Sequence, residues 1–598
     1  MSPSQELASA GRPYDPLELR GGVPVLLVVV ATLFAAWSFV VPVFEAPDEP
    51  GHWQYARYLH DHWRLPLYGP DAEEANSPPL YYALMAPVAA PSATPPFVLV
   101  QRPDGSTISL APPRSTLNTD RDLGRYWPLR LARLATAALS VVTVWICYRL
   151  GLAATGSRTT GLITAILVGL LPQFAFRAMN VSNDSLLVLC SAGVTLGVVR
   201  IVREGFTWRL GLRTSALLAA AYLSKISAIA LVVPVAYALL RGKEPLASRL
   251  RQASVLLLAL VVVLPWSVRN VLLYGDPFAS GAMRTAVAHL ITDRPLLSSY
   301  FLYEFPLHLS TSFIGIFGWM NVRLPIWMYV FFAALFFLAA VGLVIGIVRA
   351  SLSFPLVLAL LLTVGSALAV VVNINLSFTQ PQGRYLFGAL PAIALLAALG
   401  FESLPGGIRS LLRPSLVGAV LLALDVHALI DVVAPAYYPP PERDLGGSAR
   451  QLYPVSVADL VPLDRTGEFT IHGPDPMWIL PADVDAKSYD AAEIELAADW
   501  SSTPRRGCLY FARPDAPFSL ERQVCFDWLA DGSVQRFEVA IAPHPEWFGR
   551  IAAVRIDPVE EGIKEIEGSP IRLVGVRLIG RPGGHSGSST SALFVGPR

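Results

Sequence analysis

Charge is what this chain has least of. Only 15% of its 598 residues are Asp, Glu, Lys or Arg, against 53% hydrophobic, where an average soluble protein is about one quarter charged. The balance excludes an ordinary soluble enzyme and points to a membrane protein with a sizeable soluble part. Net charge is +1 with no basic block, which argues against a nucleic-acid partner. Lysine is very scarce and arginine supplies nearly all positive charge, which reads as a coding bias. Four cysteines are too few for a disulfide scaffold. Cys147 and Cys190 lie in apolar runs, as small core residues. Cys508 and Cys525 lie in two strand-like stretches, GCLYFARP and RQVCFDWL. They pair if that third of the chain is exported, or stay as two separate buried thiols. A Walker A loop, a Gly-rich dinucleotide motif and a serine-nucleophile elbow are all missing, so nothing indicates direct use of ATP.

Long apolar runs are what the chain has instead. After a polar stretch with Arg12 and Arg20 comes GGVPVLLVVVATLFAAWSFVVPVF, too long for a signal-peptide core and read as a retained transmembrane helix. Further runs fall near 130–150, 159–176, 182–201, 213–223, 225–240, 252–272, 327–348, 354–373, 385–400 and 415–434. The expectation is therefore about eleven crossings of roughly 20 residues each, with the pair at 213–240 short and broken near Ser224-Lys225. Arginines gather in the short loops of one side, Arg149, Arg158, Arg200, Arg203, Arg349, Arg409 and Arg413 among them. The positive-inside rule makes that side cytoplasmic.

This gives a cytoplasmic tail over 1–22 and a transmembrane catalytic domain over 23–438, with large outer loops at 45–129 and 273–326. Beyond the proline-rich AYYPPPERD, short alternating stretches such as EFTIHG, AAEIELAAD, RFEVAIA, IAAVRIDP and IRLVGVRLIG predict an extracytoplasmic all-β sandwich over 439–585. A Gly- and Ser-rich tail, 586–598, reads as disordered. The fold class expected is a polytopic α-helical membrane protein carrying a C-terminal β domain, set in the inner or plasma membrane.

Polar groups recur at the outer ends of these runs. VFEAPDEPGHWQYARYL sets Asp48 and Glu49 between Pro47 and Pro50, where the prolines restrict the backbone around a carboxylate beside the bilayer. NSPPLYYALMAPV contributes Tyr81, beside Tyr82. RAMNVSNDSLL places Asn183 and Asp184, YLSKISA places Lys225, PWSVRNVLLYGDP places Arg269, and QPQGRYLFGALP places Arg384. An ionisable group at the bilayer centre costs about 2.5–3.5 kcal/mol on insertion scales, and less toward the interface. One such group is explained by snorkelling; two carboxylate sites and three cations facing one side are better explained by a site. His52, His60 and His62 do not match a strong zinc spacing, and His52 alone stands close to the acidic pair. Asp120 and Asp122 read as solvated. Trp478, Trp500, Trp528 and Trp547 read as core or edge aromatics of the sandwich, with stacking on sugar rings as the alternative.

PDEPGHWQYARYL, SPPLYYALMAP, LLPQFAFRAMNVSNDSLL, LSKISA, PWSVRNVLLYGDPF, FGWMNVRLP and QPQGRYLFGALPA together resemble bacterial integral-membrane glycosyltransferases of the GT-C superfamily. These are akin to protein O-mannosyltransferases and lipid A aminoarabinose transferases. The resemblance covers about residues 20–440. It implies a hexosyl- or pentosyltransferase that takes its sugar from a polyprenyl-phosphate donor and passes it, with inversion, to a glycan, lipid or protein acceptor of the cell envelope. It also implies Asp48 as the base with Glu49 beside it, and Lys225, Arg269 and Arg384 on the donor phosphate. His52, Asn183, Asp184 and Tyr81 would then bind substrate. No cofactor is expected, although a divalent metal stays open. Two other readings remain: a transporter or flippase of a lipid-linked glycan, and a non-catalytic glycan-binding envelope protein.

Overall fold

The computed structural model describes residues 22–580 except 42, 69–73, 90–97, 102–106, 111–119, 243, 287–290, 292–293, 319, 321, 438–448, 464–466 and 561. The tails at 1–21 and 586–598 and most of the proline-rich linker lie outside the described residues.

Helix α1 (Val23–Val40) is apolar on every side and begins with a proline in its first turn, where a missing N–H costs nothing. Two short helices follow, α2 (Glu49–His62) and α3 (Leu80–Met85). Next come α4 (Asp120–Thr155), α5 (Arg158–Gly169) and α6 (Pro172–Ala178). Helices α5 and α6 form one apolar run bent by 68°. The bend has a local cause: Leu171 is extended ahead of Pro172, as the residue before a proline prefers. Helices α7 (Asp184–Glu204) and α8 (Trp208–Ser224) come next. The run then breaks at an extended Lys225 and resumes as α9 (Ile226–Leu240).

The remaining helices are α10 (Leu246–Tyr274), α11 (Ser280–Ala286), α12 (Phe305–Gly315), α13 (Ile326–Val348), α14 (Phe354–Ser377), α15 (Gly383–Ser403), α16 (Gly406–Leu411) and α17 (Pro414–Val433). Helices α13 and α15 touch backbone to backbone where Gly342 meets Gly400, and a Cβ on either would collide with a carbonyl of the other helix. Close approach of this kind is how helices pack without a hydrophobic drive between them.

Among the described residues, eight helices are long and apolar enough to cross a membrane, or nine if the bent pair counts as one. The expected eleven adds the short α8 and α9, which fall below that length. All eleven runs are helical, but α8 has 17 residues and α9 is shorter still. The pair nonetheless goes out and back. Lys225 reaches Asp184 at the start of α7, and Arg241 donates to the carbonyl of Val202 near the end of α7 at 3.1 Å.

The C-terminal part is a nine-stranded antiparallel sheet. The strands before it are two small hairpins, β1 (Val98–Gln101) with β2 (Thr107–Leu110) and β3 (Ile316–Phe317) with β4 (Val322–Arg323). The large sheet comprises β5 (Ala449–Leu452), β6 (Ser456–Ala458), β7 (Leu460–Pro462), β8 (Glu468–Ile471), β9 (Met477–Asp485), β10 (Ala491–Ala512), β11 (Gln523–Ala540), β12 (Arg550–Asp557) and β13 (Pro570–Ile579). Strand β10 organises it. Its first part pairs with β13, its last with β12, and β11 follows it along most of its length through three register shifts. The sheet thereby folds over one core, in which Ile494 of β10, Leu480 of β9 and Ile571 of β13 are all buried. Cys508 and Cys525 face each other in the β10–β11 register and form a disulfide. Trp528 and Trp547 are buried and donate to backbone carbonyls, Trp478 is buried, and Trp500 is tied to the Pro570 carbonyl.

Candidate active site

Both acids of the opening motif lie where α1 gives way to α2, but in different surroundings. Asp48 is the N-cap of α2 and holds a left-handed backbone, φ 65°, a conformation that favours Asp and Asn among residues with a Cβ. Its carboxylate pairs with Arg384, and its side chain keeps 40% of its exposure. Burial alone would raise its pKa. The Arg384 charge and its hydrogen bond, with smaller pulls from neighbouring groups, together outweigh that and hold the group at about 2. Asp48 is ionised throughout the physiological range.

Glu49 is fully buried, and both of its oxygens are engaged. Arg133 of α4 donates Nε to Oε1 at 2.8 Å and Nη2 to Oε2 at 2.5 Å. The Phe44 and Val181 amides donate at 3.0 and 3.2 Å. The same guanidinium donates to the Val41 carbonyl at 2.8 Å. Glu49 therefore ties the end of α1 to α4 and to the loop before α7.

Asp184 opens α7. It accepts from Arg177 Nη2 at 2.9 Å and pairs with Lys225. Lys225 lies 5.2 Å from the centre of the Tyr385 ring and the Arg384 guanidinium carbon 5.1 Å from it. The set is continuous, from Asp48 through Arg384, Tyr385 and Lys225 to Asp184 and Arg177. Three cations face two carboxylates. Arg384 is 4% exposed by side chain, yet among the described residues its Nε and Nη1, like Arg177 Nε and Asn183 Oδ1, are buried without a hydrogen-bond partner. Asn180, fully buried, has neither amide atom paired among the described residues. Buried polar atoms are seldom left unpaired, and on Arg384 two of them sit on the guanidinium that holds Asp48.

His52 forms the wall. Its Nδ1 lies 2.8 Å from the Tyr82 hydroxyl, and its Nε2 lies 3.4 Å from Ser182 Oγ. Burial pushes the imidazole down to about 3 against the pull of Asp48, so the ring is neutral. Glu74 Oε2 stands 3.8 Å from Nδ1, and burial with the Asp48 charge pushes its carboxyl up to about 7. Asn183 Nδ2 donates to Tyr82 at 3.3 Å.

Sequence reasoning brought Asp48, His52, Asn183, Asp184, Lys225 and Arg384 to one place, and the structure groups them so. It sets three others apart: Glu49 is held by Arg133 and two backbone amides, and two more lie elsewhere. Arg269 donates to the Pro66 carbonyl at 2.6 Å and lies over Trp266. The Tyr81 hydroxyl bonds Thr136 of α4 at 2.9 Å, so its neighbour Tyr82 is the one that meets His52. Arg133, Arg177, Glu74 and Tyr385 were missed. The two arginines carried a signal, being charges inside otherwise apolar runs. His60 and His62 bond backbone carbonyls of Ala86 and Tyr58. Among the described residues no three His, Cys, Asp or Glu side chains gather as a metal site.

Residues 127–268, from α4 into α10, match the family described as dolichyl-phosphate-mannose-protein mannosyltransferase. Solved structures align loosely. ArnT from Cupriavidus metallidurans bound to undecaprenyl phosphate shares 17% identity over 69% of this chain and 72% of that one, with a TM-score of 0.43. Arabinosyltransferase EmbB from Mycobacterium smegmatis shares 12% over 97% of this chain and 66% of that one, TM-score 0.38. The S. cerevisiae protein O-mannosyltransferase Pmt1-Pmt2 complex bound to the sugar donor shares 16% over 48% and 35%, TM-score 0.30. At these scores the site rests on its own contacts. No curated protein matches the chain.

Proposed function

We propose that the chain transfers a sugar from a polyprenyl-phosphate donor to a cell-envelope acceptor, on the extracytoplasmic face and with inversion. The observation that carries this reading is Arg384: a buried guanidinium holding Asp48 with one nitrogen while its Nε and Nη1 have no partner among the described residues. A phosphate monoester is the anion such donors suit. The family match over 127–268 supports the reaction class.

The chemistry follows from the charges. The acceptor hydroxyl gives its proton to Asp48 and its oxygen attacks the anomeric carbon. The bond from that carbon to the phosphate oxygen breaks, and polyprenyl phosphate leaves with the electron pair. Arg384 and Lys225 stabilise the charge that develops there, so no general acid is needed. While paired with Arg384, Asp48 is a weak base. A donor phosphate competes for that guanidinium and releases the carboxylate to a stronger basicity. His52 stays neutral and holds Tyr82, while Glu49 anchors the segment.

Two observations support the outer face. The helix ends opposite the cluster carry Arg158, Arg203, Arg349, Arg409 and Arg413, and the Cys508–Cys525 disulfide suits an oxidising compartment. The test is to put the purified chain in nanodiscs with a panel of radiolabelled polyprenyl-phosphate sugars and follow release of polyprenyl phosphate. One donor should be consumed, and Asp48→Asn should not consume it. Tight binding of a donor that no acceptor preparation consumes would overturn the reading in favour of transport.

A further inference from the structure

A second feature lies at the other end of the membrane part. A cavity of about 1020 Å³ opens between the start of α1, α5, the end of α15, α16 and the start of α17. It is remote from the Asp48 cluster, because the 18 residues of α1 separate the two levels by about 27 Å. One wall is apolar, with Val25, Leu162 and Ile166. The rim is cationic, with Arg409 and Arg413, both exposed and without a side-chain hydrogen bond or ion pair among the described residues. The acid in the lining, Glu402, is half-buried and accepts from Thr160 Oγ1 at 3.4 Å. The lining thus keeps one positive charge in excess.

We propose that this cavity binds an anionic phospholipid of the cytoplasmic leaflet, with acyl chain on the Val25–Leu162–Ile166 wall and phosphodiester on Arg409 and Arg413. Arginines at a cytoplasmic helix end are ordinary by themselves. Here they cap an apolar hollow of ligand size, and a basic pocket between helices on that side is the setting in which anionic headgroups are held. A soluble anion would leave the apolar wall unused, and a neutral lipid would leave both guanidinium groups unpaired. The proposal does not depend on the transferase reading.

Native mass spectrometry of the full chain, equilibrated with equal phosphatidylglycerol and phosphatidylcholine, tests it. Phosphatidylglycerol should be retained in preference. The Arg409→Gln/Arg413→Gln double variant should lose that retention about tenfold, the scale of one or two charge-assisted hydrogen bonds. Leu162→Trp, which fills the hollow and leaves both arginines, should lose it as well. Equal retention of the two lipids, no retention, or loss in the arginine variant but not in Leu162→Trp would each overturn the proposal. So would phosphatidylglycerol that binds only after residues 1–21 are removed, which would give the cavity to that segment. Release of polyprenyl phosphate, read in parallel, reports the Asp48 site separately.

Discussion

Each of the two parts holds a cluster in which a buried arginine sits among carboxylates, and the two clusters differ in what they leave over. In the β domain Arg555, 3% exposed, binds both oxygens of Asp557 and reaches Asp475 at 2.9 Å. It also lies over Tyr510, whose hydroxyl donates to Glu560 at 3.1 Å. Acids outnumber the cation there, and Asp475 and Asp557 are themselves buried. In the membrane part three cations face Asp48 and Asp184, Asp48 keeps 40% exposure, and Arg384 has donors left over. A buried ion pair alone marks no site. Unused donors beside an accessible carboxylate do.

The largest effect that sharpens this contrast is on turnover. Asp48→Asn should cost about 10²–10⁴-fold, the span of a general base. Next is stability. Glu49→Gln strands part of a fully buried guanidinium, and Arg555→Met takes the buried cation from between Asp475 and Asp557. Each should lose about 3–5 kcal/mol in thermal or denaturant unfolding, the first in the membrane part and the second in the β domain. Unchanged melting in Glu49→Gln would mean that Glu49 is no anchor and would reopen its role in the reaction.

Arg384→Gln should act on pH dependence. It removes the charge that holds Asp48 at about 2, so the acid limb of kcat/KM should move to higher pH while the donor KM rises. An acid limb that stays in place would detach Arg384 from Asp48. The smallest effect is on the pH profile of stability. Glu74 is raised from 4.5 to about 7 on folding. Its contribution is thus full below pH 4.5 and is lost as pH rises through 7. Glu74→Gln should flatten the stability profile across that window and gain over wild type above it.

Much of this was legible in the sequence, because apolar runs and prolines act locally. All eleven runs became helices, the short pair broke at Lys225 as expected, and the alternating stretches fell on β8 and on β10 to β13; the bend at Pro172 was not foreseen. What sequence does not carry is pairing across the fold. Asp48 and Glu49 are adjacent and chemically alike, yet one meets Arg384, 336 residues away, and the other meets Arg133, 84 away. Tyr81 and Tyr82 part in the same way, since one step on a helix turns a side chain about 100°. The single long β10 was hidden too, because its irregular middle reads as a loop between two strands.

The most direct test of the central claim measures polyprenyl-phosphate binding and donor turnover together, in wild type and Asp48→Asn. If Arg384 is shared between Asp48 and the donor phosphate, the variant should bind polyprenyl phosphate at least as tightly as wild type and turn over donor at least about a hundredfold more slowly. A variant that turns over normally, or that loses binding along with turnover, would contradict the account.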